Sequence, residues 1–173
     1  MSDKILIAYA SKCGSTGEVA DAIGETLADP KSGDGGTTVD VRLAKDVTDV
    51  SGYRAVVVGS AVRMGRWLPE ATKFVETHHD ALAQMPVACF AVCMTLSEDT
   101  EENRREVAAY LDPVREMVQP VDEGFFAGAM DYGKLSFPFR LIIKAMKVPE
   151  GDFRDWDGIR DWAAGVRPLL LGA

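Results

Sequence analysis

Residues 5–10, Ile-Leu-Ile-Ala-Tyr-Ala, form an apolar run that stops at Ser11, Lys12, Cys13, Gly14, Ser15 and Thr16. Apolar positions at helical spacing follow at once: Val19, Ala20, Ile23 and Leu27. A short, continuously apolar strand is buried on both faces, as in a parallel sheet. A strand, a Ser/Thr/Gly loop and a helix N-terminus in that order make an anion site. The loop presents backbone N–H groups, the hydroxyls add donors, and the helix dipole favours negative charge. The loop is therefore expected to hold a phosphate.

The same loop excludes commoner phosphate binders. It lacks Gly-x-Gly-x-x-Gly, the dinucleotide fingerprint, and Gly-x-x-x-x-Gly-Lys-Ser/Thr, the triphosphate loop. Cys13 suggests a phosphatase-type nucleophile, but residues 14–19 contain no arginine to clamp a phosphate bidentately. Two readings remain. One is a site for a single phosphate monoester, as flavin mononucleotide (FMN) carries. The other is an ordinary strand–turn–helix corner capped by Ser and Thr.

Composition narrows the class. A chain of 173 residues fits one domain with a sizeable core. A net charge of −8 argues against nucleic acid as the main partner. No apolar run approaches a membrane span, and residues 5–10 are too short for a signal peptide. Cys13, Cys89 and Cys93 are wrongly spaced for a disulfide framework or a zinc site and read as cytosolic thiols. His78 and His79, adjacent at a helix end, leave little material for a Ser-His-Asp or metal-hydrolase mechanism. No metal is expected, and the location expected is the cytoplasm.

Periodicity predicts strands over residues 4–10, 39–43, 55–59, 87–92 and 125–130. It predicts helices over 16–27, from Pro69 onward, over 101–118 with a break at Pro113, and over 156–171. Five strands alternating with helices specify a doubly wound α/β sandwich around a parallel sheet of order 2-1-3-4-5. In such a sheet the ligand lies outside the C-terminal ends of strands 1, 3 and 4. Those ends carry residues 11–16, 60–67 and 93–98.

With these loops placed, the sequence resembles the flavodoxin superfamily over essentially its full length, as a single domain of residues 1–173. It is more closely similar to the menaquinone-dependent protoporphyrinogen oxidase branch. That similarity rests on Gly-Ser-Ala-Val-Arg-Met-Gly-Arg-Trp at 59–67, Phe74-Val75, Ala-Gly-Ala-Met-Asp-Tyr at 127–132 and the basic, apolar stretch 139–146. The resemblance implies a flavodoxin-like fold, FMN as cofactor and oxidoreduction, with protoporphyrinogen IX as substrate and a quinone as acceptor. It implies that Ser11, Cys13, Gly14, Ser15 and Thr16, with Lys12 beside them, hold the phosphate. Ala61, Val62, Arg63 and Gly65, in a loop that includes Ser60 and Trp67, would lie along the flavin ring. Cys93, Met94 and Thr95 would form its other edge.

The chain departs from simple flavodoxins in lacking any aromatic at 93–97. One flavin face is thereby expected to be open to a planar substrate. Arg63 suits negative charge at the flavin, an anionic substrate, or plain solvation. Trp67 suits stacking on the flavin or a staple at the helix entry. No general acid or base stands out. The alternative function is a soluble electron-transfer flavodoxin serving another redox enzyme, with Glu98, Asp99, Glu101 and Glu102 as docking surface for a basic partner. A receiver-type signalling module needs acids at the ends of strands 1 and 3, where Tyr9-Ala10 and Gly59-Ser60 stand.

Residues 134–148 read as an insertion with four basic and no acidic residues. Phe139, Ile142, Ile143 and Met146 repeat on one helical face, and Arg140, Lys144 and Lys147 on another. Such a helix suits an anionic membrane surface at the inner face of the cell membrane, where a quinone is found. It also suits a lid over the flavin, a homodimer contact, or a core-packed helix with a solvated basic edge.

Overall fold

The computed structural model describes residues 3–12, 14–29 and 36–172. Strand β1 (Lys4–Ala10) pairs in parallel with β2 (Thr38–Leu43) on one side and β3 (Ala55–Arg63) on the other. Next to β3 lies β5 (Val87–Val92), and β6 (Glu123–Phe126) closes the sheet. The parallel order β2-β1-β3-β5-β6 is the expected 2-1-3-4-5 arrangement. A two-residue strand β4 (Arg66–Trp67) pairs antiparallel with the end of β3.

Alternation along the central strands divides the interior into two cores. Ile5 and Ile7 face α1 (Ser15–Leu27) and α7 (Trp156–Leu171), packing with Val19, Ile23, Ile159 and Val166. Leu6 and Ala8 face the other side, with Phe74 and Val75 of α2 (Pro69–Thr77) and Val107 of α4 (Glu101–Ala109). Short α3 (His79–Leu82) and α5 (Asp112–Arg115) complete that layer. The segment expected to break at Pro113 divides into α4 and α5, with Pro113 in the first turn of α5. At the centre of the sheet Gly59 lies opposite Phe90, and a Cβ on Gly59 would come within 2.0 Å of the Phe90 ring.

Three features differ from the sequence reading. The segment expected as a loop after residue 59 stays extended to Arg63 and turns back through Met64 (φ 53°) and Gly65 (φ 73°) as a tight hairpin. Two consecutive left-handed residues match the natural twist of a two-residue hairpin turn, and glycine adopts that region without strain. The strand expected over 125–130 ends at Phe126, because β5 ends at Val92 opposite it and offers no further partner. Ala129–Met130 (β7) instead pairs antiparallel with Gly151–Asp152 (β8). Between them the insertion forms α6 (Phe137–Ala145), with Pro138 in its first turn. No helix among the described residues is long and apolar enough to cross a membrane.

Candidate functional site

Each βα connection at the C-terminal edge of the sheet supplies one wall of a cavity of about 710 Å³. The first wall joins β1 to α1 and presents Ser11, Lys12, Ser15 and Thr16. Gly14 is the N-cap of α1, and its N–H donates to Ser11 Oγ at 3.0 Å. Thr16 is fully buried, yet its Oγ1 has no hydrogen-bond partner. An unpaired buried hydroxyl is costly, so this one marks where a ligand acceptor belongs. Lys12 Nζ lies 3.1 Å from Glu70 Oε1. The Glu70 carboxyl is held below its ordinary pKa by its own backbone N–H first and by Lys12 second. The anion end is thus built mainly from hydroxyls and a helix N-terminus. Cys13 lies outside the described residues.

The second wall is the β3–β4 hairpin, where Ala61, Val62, Arg63, Met64 and Gly65 line the cavity. Ser60 and Trp67, also expected at the ligand, are not among the residues that line the cavity. Ser60 is buried under the hairpin; its hydroxyl accepts from Leu68 N–H at 3.0 Å and donates to Ala61 O at 2.7 Å. Trp67, paired opposite Val62, is buried in the core on the α2 side, which is the staple position. Both residues fix the hairpin from below.

Cys93, Met94 and Thr95 begin the third wall, which continues through Ser97, Glu98 and the α4 residues Asn103, Glu106 and Tyr110. Asn103 Nδ2 donates to Thr95 O at 3.1 Å and to Glu98 O at 2.9 Å, fixing the segment after β5. Tyr110 Oη donates to Glu106 Oε1 at 2.6 Å. That bond, with burial second, pushes the Tyr110 hydroxyl pKa up to about 12, so it stays a neutral donor. The Tyr110 ring underlies Gly65, where an added Cβ would lie 3.4 Å away. Sequence reasoning missed this α4 face. Its signal was the helical spacing of 103, 106 and 110, on an arc bordering the buried Val107.

The fourth wall is a roof. Gly128, Ala129 and Met130 line it with Phe139 and Ile143 of α6, its C-cap Met146, and Val148 and Pro149. The Arg63 guanidinium carbon lies 4.1 Å from the Phe139 ring centroid, so the hairpin and the roof meet there. Met94, Thr95 and Ser97, from the segment without an aromatic, line the same cavity as Phe139 and Ile143 of α6. Ile142, expected on the same face as Phe139, is instead turned outward and about half exposed, with Phe137 and Leu141. The cavity suits an elongated ligand with an anion at one end and a flat apolar body at the other. Among the described residues no group of three or more His, Cys, Asp or Glu is placed to hold a metal.

Residues 6–157 match the flavodoxin domain family. The chain belongs to that family. This flavodoxin-domain protein is 28% identical over 190 residues to the protoporphyrinogen IX dehydrogenase [quinone] of Leishmania major, covering 98% of this chain and 77% of the relative. It is 24% identical over 179 residues to the protein of the same name from Escherichia coli K12, covering 96% of each. Among solved structures it resembles a flavodoxin from the domain Archaea, with a TM-score of 0.56 and 18% identity over 96% of this chain and 98% of the other. It also resembles a flavoprotein from Lactobacillus acidophilus solved in complex with FMN, with a TM-score of 0.52 and 14% identity over 70% of this chain and 92% of the other. These structural likenesses concern the fold.

Proposed function

We propose that this flavodoxin-domain protein binds FMN and acts as an oxidoreductase on a flat organic substrate, protoporphyrinogen IX or a close analogue, with a quinone as electron acceptor. The observation that carries the reading is the cavity's division of labour: an unpartnered buried hydroxyl at the α1 N-terminus, and an apolar roof over the opposite end. FMN, when bound, supplies the acceptance and release of electrons. Ser11, Ser15 and Thr16 would hold its phosphate, with the helix N–H groups and dipole behind them. The hairpin residues 61–65 and the backbone of 93–95 would flank its ring. Phe139, Ile143 and Met146 keep water from the apolar end and leave space for a planar substrate. A substrate roof favours the enzyme over a sealed electron carrier.

The names of the two curated relatives support the substrate class. Lys134, Lys144 and Lys147 are exposed on the same segment as outward Phe137, Leu141 and Ile142, which suits peripheral contact with an anionic bilayer from the cytoplasmic side, where a quinone dissolves. The test is direct. Purified protein is titrated with FMN and followed by visible absorption. The loaded protein is then given protoporphyrinogen IX and a soluble menaquinone analogue without oxygen. Stoichiometric FMN and turnover to a porphyrin spectrum are expected. FMN binding without turnover would leave the electron-carrier reading, and no FMN binding would remove both.

A further inference from the structure

The phosphate end uses Ser11, Ser15 and Thr16, which leaves the contact between hairpin and roof without an assigned task. Arg63 and Phe139 both line the cavity there, with a cation–ring distance of 4.1 Å. The side chains around them, Met64, Ile143 and Met146, are apolar. On the α4 side of the cavity, Glu98 and Glu106 are acidic. The electrostatic layout of the roof end is therefore asymmetric. An acidic group on an entering molecule is repelled by the α4 side and attracted to Arg63.

A ring face holds a guanidinium through the ring quadrupole. A carboxylate offers the same guanidinium two parallel charge-assisted hydrogen bonds, a stronger and more directional interaction. Arg63 is half-buried, so such a pair is screened less than one in open water. Phe139 meanwhile limits where the guanidinium can lie. We propose that Arg63 is the specificity-determining residue of the roof end: it selects a flat apolar substrate by a carboxylate on its edge, and Phe139 is the residue that positions the guanidinium. This deepens the reading of the cavity as a flavin and substrate site, and rests on it.

The experiment uses the FMN-loaded protein and an unreactive pair of probes, mesoporphyrin IX and its dimethyl ester, in the same mild detergent. Binding is read from quenching of porphyrin fluorescence. Wild type should bind the acid roughly tenfold more tightly than the ester. Arg63→Met, which keeps an unbranched apolar stem against Phe139, should abolish that ratio by weakening the acid alone. Arg63→Lys should keep part of it, because the charge remains and the fork is lost. Phe139→Leu should lower the ratio, and Phe139→Tyr should restore it. A merely structural latch would loosen the roof and weaken acid and ester equally, and that result overturns the proposal. So does a wild type that binds neither probe or shows no preference. FMN affinity and melting temperature are measured on every variant. If wild type takes no FMN, the flavin reading itself falls; if FMN binds normally and the ratio is flat, only the role of Arg63 does.

Discussion

Thr16 is fully buried with an unpartnered hydroxyl, so its contribution changes sign with the ligand. Thr16→Val keeps the shape and removes the unpaired group. The ligand-free protein should melt no lower than wild type, since removing a buried unpaired hydroxyl removes its desolvation cost. FMN affinity should fall about tenfold or more, for a lost bond to a charged phosphate of about 1.5–3 kcal/mol. Riboflavin, which lacks the phosphate, should bind almost unchanged; equal losses for both ligands would refute the phosphate assignment. Gly59→Ala tests the sheet centre. Its Cβ would meet the ring of fully buried Phe90 at 2.0 Å, so a loss of about 1–3 kcal/mol or more in denaturant unfolding is expected. Asp40 governs part of the acid limb of stability. Its pKa is lowered, first by the Tyr53 hydroxyl at 2.7 Å and then by Lys4 at 3.0 Å. A depressed folded pKa means the contribution is present above the ordinary carboxylate value and disappears as pH falls through the folded one. Asp40→Asn should flatten the acid side of a melting-temperature profile, and at alkaline pH it should ease the ionisation of Tyr53, whose hydroxyl pKa is raised by burial first and by Asp40 second. At this scale the sequence singled out Thr16 within a hydroxyl-rich loop, and the structure adds that its hydroxyl is buried without a partner. It did not disclose Tyr110, or the contact of Phe139 with Arg63, because these exist only after distant segments are brought together.

α6 holds to the molecule through few buried groups: Leu135 just before it and Ile143 within it are buried, while Phe137, Leu141 and Met146 are more than half exposed. Elements with little buried apolar surface open at low free energy. Amides of 139–146 should therefore exchange with deuterium orders of magnitude faster than those of β1, β3 and β5, and FMN with a bound porphyrin should slow them. Equal protection of α6 and the central strands would show the roof to be rigid. The central strands were legible because β1 and β5 are continuous apolar runs, and their observed bounds, Lys4–Ala10 and Val87–Val92, are those expected. The hairpin was not legible, since Met64 in a left-handed turn carries no compositional mark. The two faces of α6 were only half legible. Helical spacing groups Ile142 with Phe139 and Ile143, but it cannot say which arc of a small apolar helix meets the cavity.

The whole molecule carries a net charge of −8, while its insertion is wholly basic among its charged side chains. That polarity predicts weak, salt-sensitive binding to anionic vesicles and none to neutral ones. Lys147→Glu is the cleaner probe, because Lys144 Nζ lies 5.4 Å from the Tyr132 ring and its loss also disturbs the base of the roof. Co-sedimentation that ignores both salt and Lys147→Glu would remove the bilayer as a partner. The doubly wound architecture was legible as a whole, because alternation of strands and helices leaves few right-handed topologies. The insertion's anchoring was not. β7 and β8 pair with each other rather than with the main sheet. The excursion from residue 131 to 150 thus leaves and re-enters at nearly one point, with a small loop-closure cost to the parent domain. Such a graft is separable: shortening or exchanging it need not disturb the five parallel strands beneath. On the function proposed, substrate choice in this architecture can therefore change by swapping a cassette, while the phosphate grip stays where the first strand meets the first helix.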